Sequence, residues 1–248
     1  MDQQTKAALK QNDKFITTTE HGIEWASENR KSVIVTTSLL FVVILVIVAC
    51  AVGYNKRSQA ASVAYGAAMQ AYQTPLASAG QPVPPSVTTF PSVADRAKAA
   101  NALFMSCADK YSIVSEGKIC RYFGGLTYME AQQNGPAEEA FKKVADGWNG
   151  DLAALAKLSL AELYHQTNRD PQAIALYNEL DSKPTTTVPP GLAKLQLAAL
   201  YTSTGKTDEA KKIYAQLKDK DAKGAVGVIA AQKLNPSAAA GPGAATAQ

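Results

Sequence analysis

A tyrosine, an alanine nine positions later and an aromatic four positions beyond it occur three times in this chain, as Tyr128/Ala137/Phe141, Tyr164/Ala173/Tyr177 and Tyr201/Ala210/Tyr214. The copies lie 36 and 37 residues apart. A period in that range restricts the fold to stacked supersecondary units, because one unit of this size cannot bury its own apolar face. Stacking leaves an extended surface, and such surfaces usually bind.

Within each copy two amphipathic stretches meet at a turn. Leu152, Leu155, Leu160, Leu163 and Tyr164 mark the first helix of the middle copy, and Ala173, Ile174, Tyr177 and Leu180 mark the second. Asp170 ahead of Pro171 predicts the start of that second helix, with the aspartate accepting free amide hydrogens. Gly135-Pro136 and Gly205 with Thr207 punctuate the equivalent turns. Gly125, Ala161 and Ala198 lie three residues before the tyrosines, and Ala137, Ala173 and Ala210 open the second helices. Small side chains there let paired helices approach, while Phe141, Tyr177 and Tyr214 fill the wedge toward the next copy.

These residues resemble the tetratricopeptide repeat, a helix-turn-helix unit of about 34 residues. Leu160, Ala161, Tyr164, Ala173, Tyr177 and Pro184 carry the likeness in the middle copy. Leu197, Ala198, Tyr201, Gly205, Ala210 and Tyr214 carry it in the third. The first copy departs from the pattern at Gly124-Gly125, and the extra residues of the middle copy fit a loop over residues 183–191 with Pro184, Pro189 and Pro190. The expected class is all-α, a single transmembrane helix followed by a tetratricopeptide-like helix-pair solenoid.

The transmembrane helix is read from residues 33–52, twenty consecutive uncharged positions dominated by Val, Ile and Leu. At about 1.5 Å per residue that run spans a hydrocarbon core of about 30 Å. The 32 residues before it carry five acids and five bases, unlike the short basic leader of a cleaved signal peptide. Ile47-Val48-Ala49-Cys50 resembles a lipobox, so a lipoprotein acylated at Cys50 is the alternative anchor. Lys14, Arg30 and Lys31 precede the span and Lys56 and Arg57 follow it, a narrow positive-inside bias toward a cytoplasmic N-terminus. Cys107 and Cys120 stand thirteen positions apart beyond the span. They form a disulfide if that side is oxidising, or remain two buried thiols if it is not.

The chain therefore divides into a cytoplasmic leader (1–32), a transmembrane helix (33–53) and an Ala-rich external helix (54–73). A linker (74–91) holding Pro75, Pro82, Pro84, Pro85 and Pro91 comes next, then the repeat domain (92–234) and a tail (235–248) whose composition predicts disorder. In the leader, Phe15, Ile16, Ile23 and Trp25 belong either to a disordered tail or to a short helix at the membrane surface. A segment over residues 221–234 is read as the helix that caps the stack.

This layout resembles the ancillary subunit family of the bacterial Sec translocon. The resemblance implies a bacterial inner-membrane protein with a periplasmic repeat domain, contacts to the translocon and to periplasmic chaperones, and a chaperone-like role in translocation. A structural or assembly factor of another envelope complex is the alternative, with an envelope enzyme using Glu162 and His165 behind it.

Helical geometry nominates the binding face. Residues nine, five and two before each tyrosine, and two after it, point away from the tyrosine's side of the helix. They are Ile119, Phe123, Leu126 and Glu130, then Leu155, Ser159, Glu162 and Gln166, then Leu192, Gln196, Ala199 and Ser203. In tetratricopeptide domains this side lines the concave groove, so Phe123 and Leu126 are either apolar anchors for a peptide or core contacts to the preceding helix.

No catalytic or metal site is expected. The two histidines, His21 and His165, lack partners at metal-ligand spacing, and no phosphate loop or nucleophile elbow appears. No cofactor or small-molecule substrate is therefore predicted. From Ser92 to Asn235 the chain carries 18 basic and 16 acidic residues, interspersed, which argues against nucleic acid.

Overall fold

The computed structural model describes residues 29–77 and 89–235. The leader with Phe15, Ile16, Ile23 and Trp25, the middle of the proline-rich linker and the tail from Pro236 lie outside the described residues. Among the described residues there are nine helices. They are α1 (Arg30–Gln73), α2 (Val93–Lys110), α3 (Ser115–Glu130), α4 (Asn134–Ala145), α5 (Gly150–Gln166), α6 (Asp170–Ser182), α7 (Leu192–Ser203), α8 (Thr207–Lys220) and α9 (Ala225–Leu234). The only β pairing among them is one isolated bridge, Leu76 to Phe90. It ties the two ends of the proline-rich linker, with the Ala77 amide donating to the Phe90 carbonyl at 2.8 Å.

The chain separates into two units, Met1–Lys56 and Arg57–Gln248. In the first, the described part of α1 is long and apolar enough to cross a membrane. Its Val, Ile, Leu and Phe side chains face outward on all sides, as in Leu39, Phe41 and Ile47. Thr36 donates its hydroxyl hydrogen back to the Ser32 carbonyl at 2.8 Å, so its polar group is satisfied within the helix.

In the second unit the last turns of α1 pack on α2 and α3. Ala68, Ala100, Phe104, Cys107, Ala108 and Cys120 form the core there, with Tyr65 and Tyr72 packed against it. Ser92 starts α2, its hydroxyl accepting the Asp95 amide at 3.1 Å. The buried Asn101 side chain donates to the Gly124 carbonyl at 2.9 Å and to the Thr127 hydroxyl at 3.0 Å, interlocking α2 with α3. Cys107 and Cys120 are joined as a disulfide between the same two helices.

From α3 onward each helix packs on the next as far as α9. The small positions carry these contacts: Ala161, Ala198, Ala137 and Ala173 are fully buried and Ala210 nearly so, as are Phe141, Tyr177 and Tyr214. At Gly125 a Cβ would come within 2.6 Å of the Phe141 ring, which explains why this copy has glycine where the others have alanine. Salt bridges join neighbours at the surface, Lys157 to Glu179 at 2.6 Å and Lys194 to Asp181 at 3.0 Å.

The turn between the helices of each copy has one repeated geometry. Gln132, Asn168 and Gly205 adopt left-handed backbone with φ of 59°, 59° and 79°. The amides that follow, of Gln133, Arg169 and Lys206, donate to the carbonyls of Tyr128, Tyr164 and Tyr201 at 2.8, 2.7 and 2.8 Å. With the inner bonds to Met129, His165 and Thr202, this is a Schellman cap at all three sites. The repeated tyrosine thus closes the first helix through its backbone as well as packing through its ring.

Asp170 corrects the expectation for its turn. It begins α6, with Pro171 in the first turn, but Arg169 occupies the cap position and no side chain caps the helix. The Asp170 carboxylate is drawn instead to His165 Nδ1, 2.7 Å away. The loop over residues 183–191 folds back on α5: Thr186 and Thr187 donate to Asp151, and Val188 is buried beside Ala154, Leu180 and Ala193.

Candidate functional site

A concavity of about 510 Å³ opens along the second unit between α3, α5 and α7, with Tyr177 of α6 among its walls. Leu126 comes from α3, Ser159 and Glu162 from α5, and Gln196, Ala199 and Ser203 from α7. All six belong to the face nominated by helical geometry. They meet because the 36- and 37-residue period brings equivalent positions of successive first helices to one side.

The other nominated residues lie elsewhere. Phe123 stacks on Phe104 with ring centroids 5.4 Å apart and meets Tyr65 at 5.8 Å, so α1 and α2 cover it. Glu130 accepts a short hydrogen bond from the Tyr72 hydroxyl. Leu192 packs beside Ala154 and Val188, while Ile119 and Leu155 are half-buried away from the concavity. Gln166 is exposed and donates to Glu162 at 3.2 Å. The first third of the nominated face is therefore mostly a packing surface for the helices ahead of it.

Five further lining residues, Tyr122, Leu158, His165, Tyr177 and Leu200, lie outside the face that helical geometry selects. Leu158 and His165 lie six before and one after Tyr164, which places them on the flank of α5 about 40–60° from the chosen arc. That flank stays open because its neighbours cover the other one.

Polar contacts span the concavity. Tyr122 and Ser159 share a hydrogen bond of 3.2 Å between α3 and α5. His165 Nε2 lies 3.0 Å from the Ser203 hydroxyl, joining α5 to α7, while its Nδ1 faces Asp170. Serine, histidine and aspartate in that order suggest a nucleophilic relay, but the surroundings argue against it. Ser203 has one hydroxyl hydrogen to divide between His165 and the Leu200 carbonyl, which is 2.9 Å away. It also ends α7, where helices present carbonyl oxygens and not the amide hydrogens an oxyanion needs. The arrangement braces two helices.

Electrostatically the concavity is acidic at one point. Glu162 is its one carboxylate and neither lysine nor arginine lines it. Tyr177 has its phenol pushed up to about 12 by burial and then by the Glu162 charge. No protein-family model matches this chain, and no curated protein or solved structure matches it either.

Proposed function

We propose that this protein is a membrane-anchored interaction scaffold in which tetratricopeptide-type helix pairs stack as a solenoid and the concave side receives segments of other proteins. Its role is that of a chaperone-like accessory to protein translocation or envelope protein folding, not of an enzyme. The observation that carries this reading is the concavity itself, built from recurring positions on α3, α5 and α7 with mixed apolar and hydrogen-bonding walls. Such a lining suits polypeptide, whose backbone and side chains present both kinds of group.

Membrane attachment through α1 is supported by its outward apolar side chains, which water would not tolerate over such a length. A cytoplasmic N-terminus and a periplasmic repeat domain are supported by the basic residues ahead of the span and by the disulfide, since disulfides persist in oxidising compartments. Cys50 lies within the unbroken helix α1, which favours a spanning anchor over lipidation at that cysteine.

A photo-crosslinking residue at Ala199, in native bacterial membranes, tests the reading. Adducts with translocon components or periplasmic folding factors support the accessory role. Adducts confined to a different envelope complex reassign the protein as an assembly factor. Adducts no richer at Ala199 than at exposed Gln172 of α6 overturn the concavity as the binding face.

A further inference from the structure

The composition of the concavity bears on what it selects, an inference that rests on the binding role just proposed. Among the described residues Glu162 has no cationic partner, and its one side-chain hydrogen bond comes from Gln166, a neutral donor. Tyr177 lines the same space, near enough to Glu162 for that charge to act on its phenol, and its hydroxyl has no hydrogen-bond partner among the described residues. His165 turns its Nδ1 to the Asp170 carboxylate, 2.7 Å away, so a second carboxylate stands behind the ring. Around these groups Leu126, Leu158 and Ala199 provide apolar wall.

We propose that the concavity takes a partner segment presenting a lysine or arginine, its charged head between Glu162 and Tyr177 and its methylene stem along Leu126 and Leu158. Both groups are suited to it: a carboxylate and a phenol oxygen accept hydrogen bonds, and a cation on an aliphatic stem supplies donors and apolar contact together. An acidic side chain at the same point would meet Glu162 with like charge, and no lysine or arginine is among the residues lining the concavity. The partner is thus a polypeptide stretch of apolar residues interrupted by a basic one.

Fluorescein-labelled peptides of leucine and alanine with a central lysine, glutamine or glutamate, titrated by anisotropy against the full chain in detergent micelles, test this. The lysine peptide is expected to bind about five- to tenfold more tightly than the glutamine peptide, with the glutamate peptide weakest and the difference shrinking as salt rises. Glu162→Gln should erase the preference and Glu162→Lys should invert it. Equal binding of the three peptides to the unaltered protein overturns the charge rule while leaving the binding face in place. A preference that survives Glu162→Gln also overturns it. Binding of none of the three overturns the charge rule and the binding face together.

Discussion

The Glu138 carboxylate on α4 meets the Arg169 guanidinium at 2.8 Å, and that guanidinium lies 4.4 Å from the centre of the Tyr164 ring. Tyr164 in turn donates to Glu138 at 3.3 Å, and Lys142 completes the cluster at 2.7 Å. One carboxylate therefore ties the second helix of the first copy to the helix and turn of the next.

Burial raises the Glu138 pKa, and the hydrogen bonds from Lys142 and Arg169 outweigh burial, so the net direction is down. A depressed carboxyl adds stability above its ordinary pKa and loses it as pH falls through the lower folded value. Glu138→Gln should cost about 1–2 kcal/mol at neutral pH and flatten the acid branch of the stability profile. Thermal unfolding by circular dichroism between neutral and acidic pH reads both.

The three left-handed turns differ in cost. Gln132 has a side chain where Gly205 has none, and left-handed backbone costs a non-glycine residue about 1–2 kcal/mol. Gln132→Gly should raise the melting temperature and Gly205→Ala should lower it, each by the equivalent of about 1 kcal/mol.

Gly125→Ala should destabilise by about 1–3 kcal/mol, since its Cβ would strike the buried Phe141 ring. Combining it with Phe141→Leu should cost less than the sum of the two single changes. Additive losses in the double-mutant cycle would refute the contact.

Tyr72 and Tyr177 are both pushed up to about 12, first by burial, with Glu130 and Glu162 adding to it respectively. A raised pKa means the folded state holds its proton longer than the unfolded one. The stability so contributed is complete below pH 10 and is lost as pH climbs toward 12. Tyr177→Phe should remove part of that alkaline loss, read from melting temperatures across the range.

Reducing the Cys107–Cys120 bond frees a short loop and should cost about 3 kcal/mol. The loss should appear as a lower melting temperature in reductant, and Cys107→Ser with Cys120→Ser should be insensitive to reductant.

The face behind the candidate site was legible only in part. Ser159, Glu162, Gln196 and Ala199 follow from helical angle and repeat period, quantities contained in the chain order. Tyr122, Leu158 and His165 do not, because which flank of a helix remains open depends on how its neighbours cross it. Phe123 satisfied the same angular rule as Leu126 and still went to the core, since α1 and α2 lie over that end of α3.

By itself the amino-acid order determined the helical class, the membrane-long apolar run and the small residues at helix contacts, all consequences of local periodicity and side-chain volume. Only the tertiary structure decided that Asp170 leaves its helix end for His165, that His165 reaches Ser203, and that Glu138 joins Arg169. Those pairings depend on distances between helices, and no pattern within a single helix encodes them.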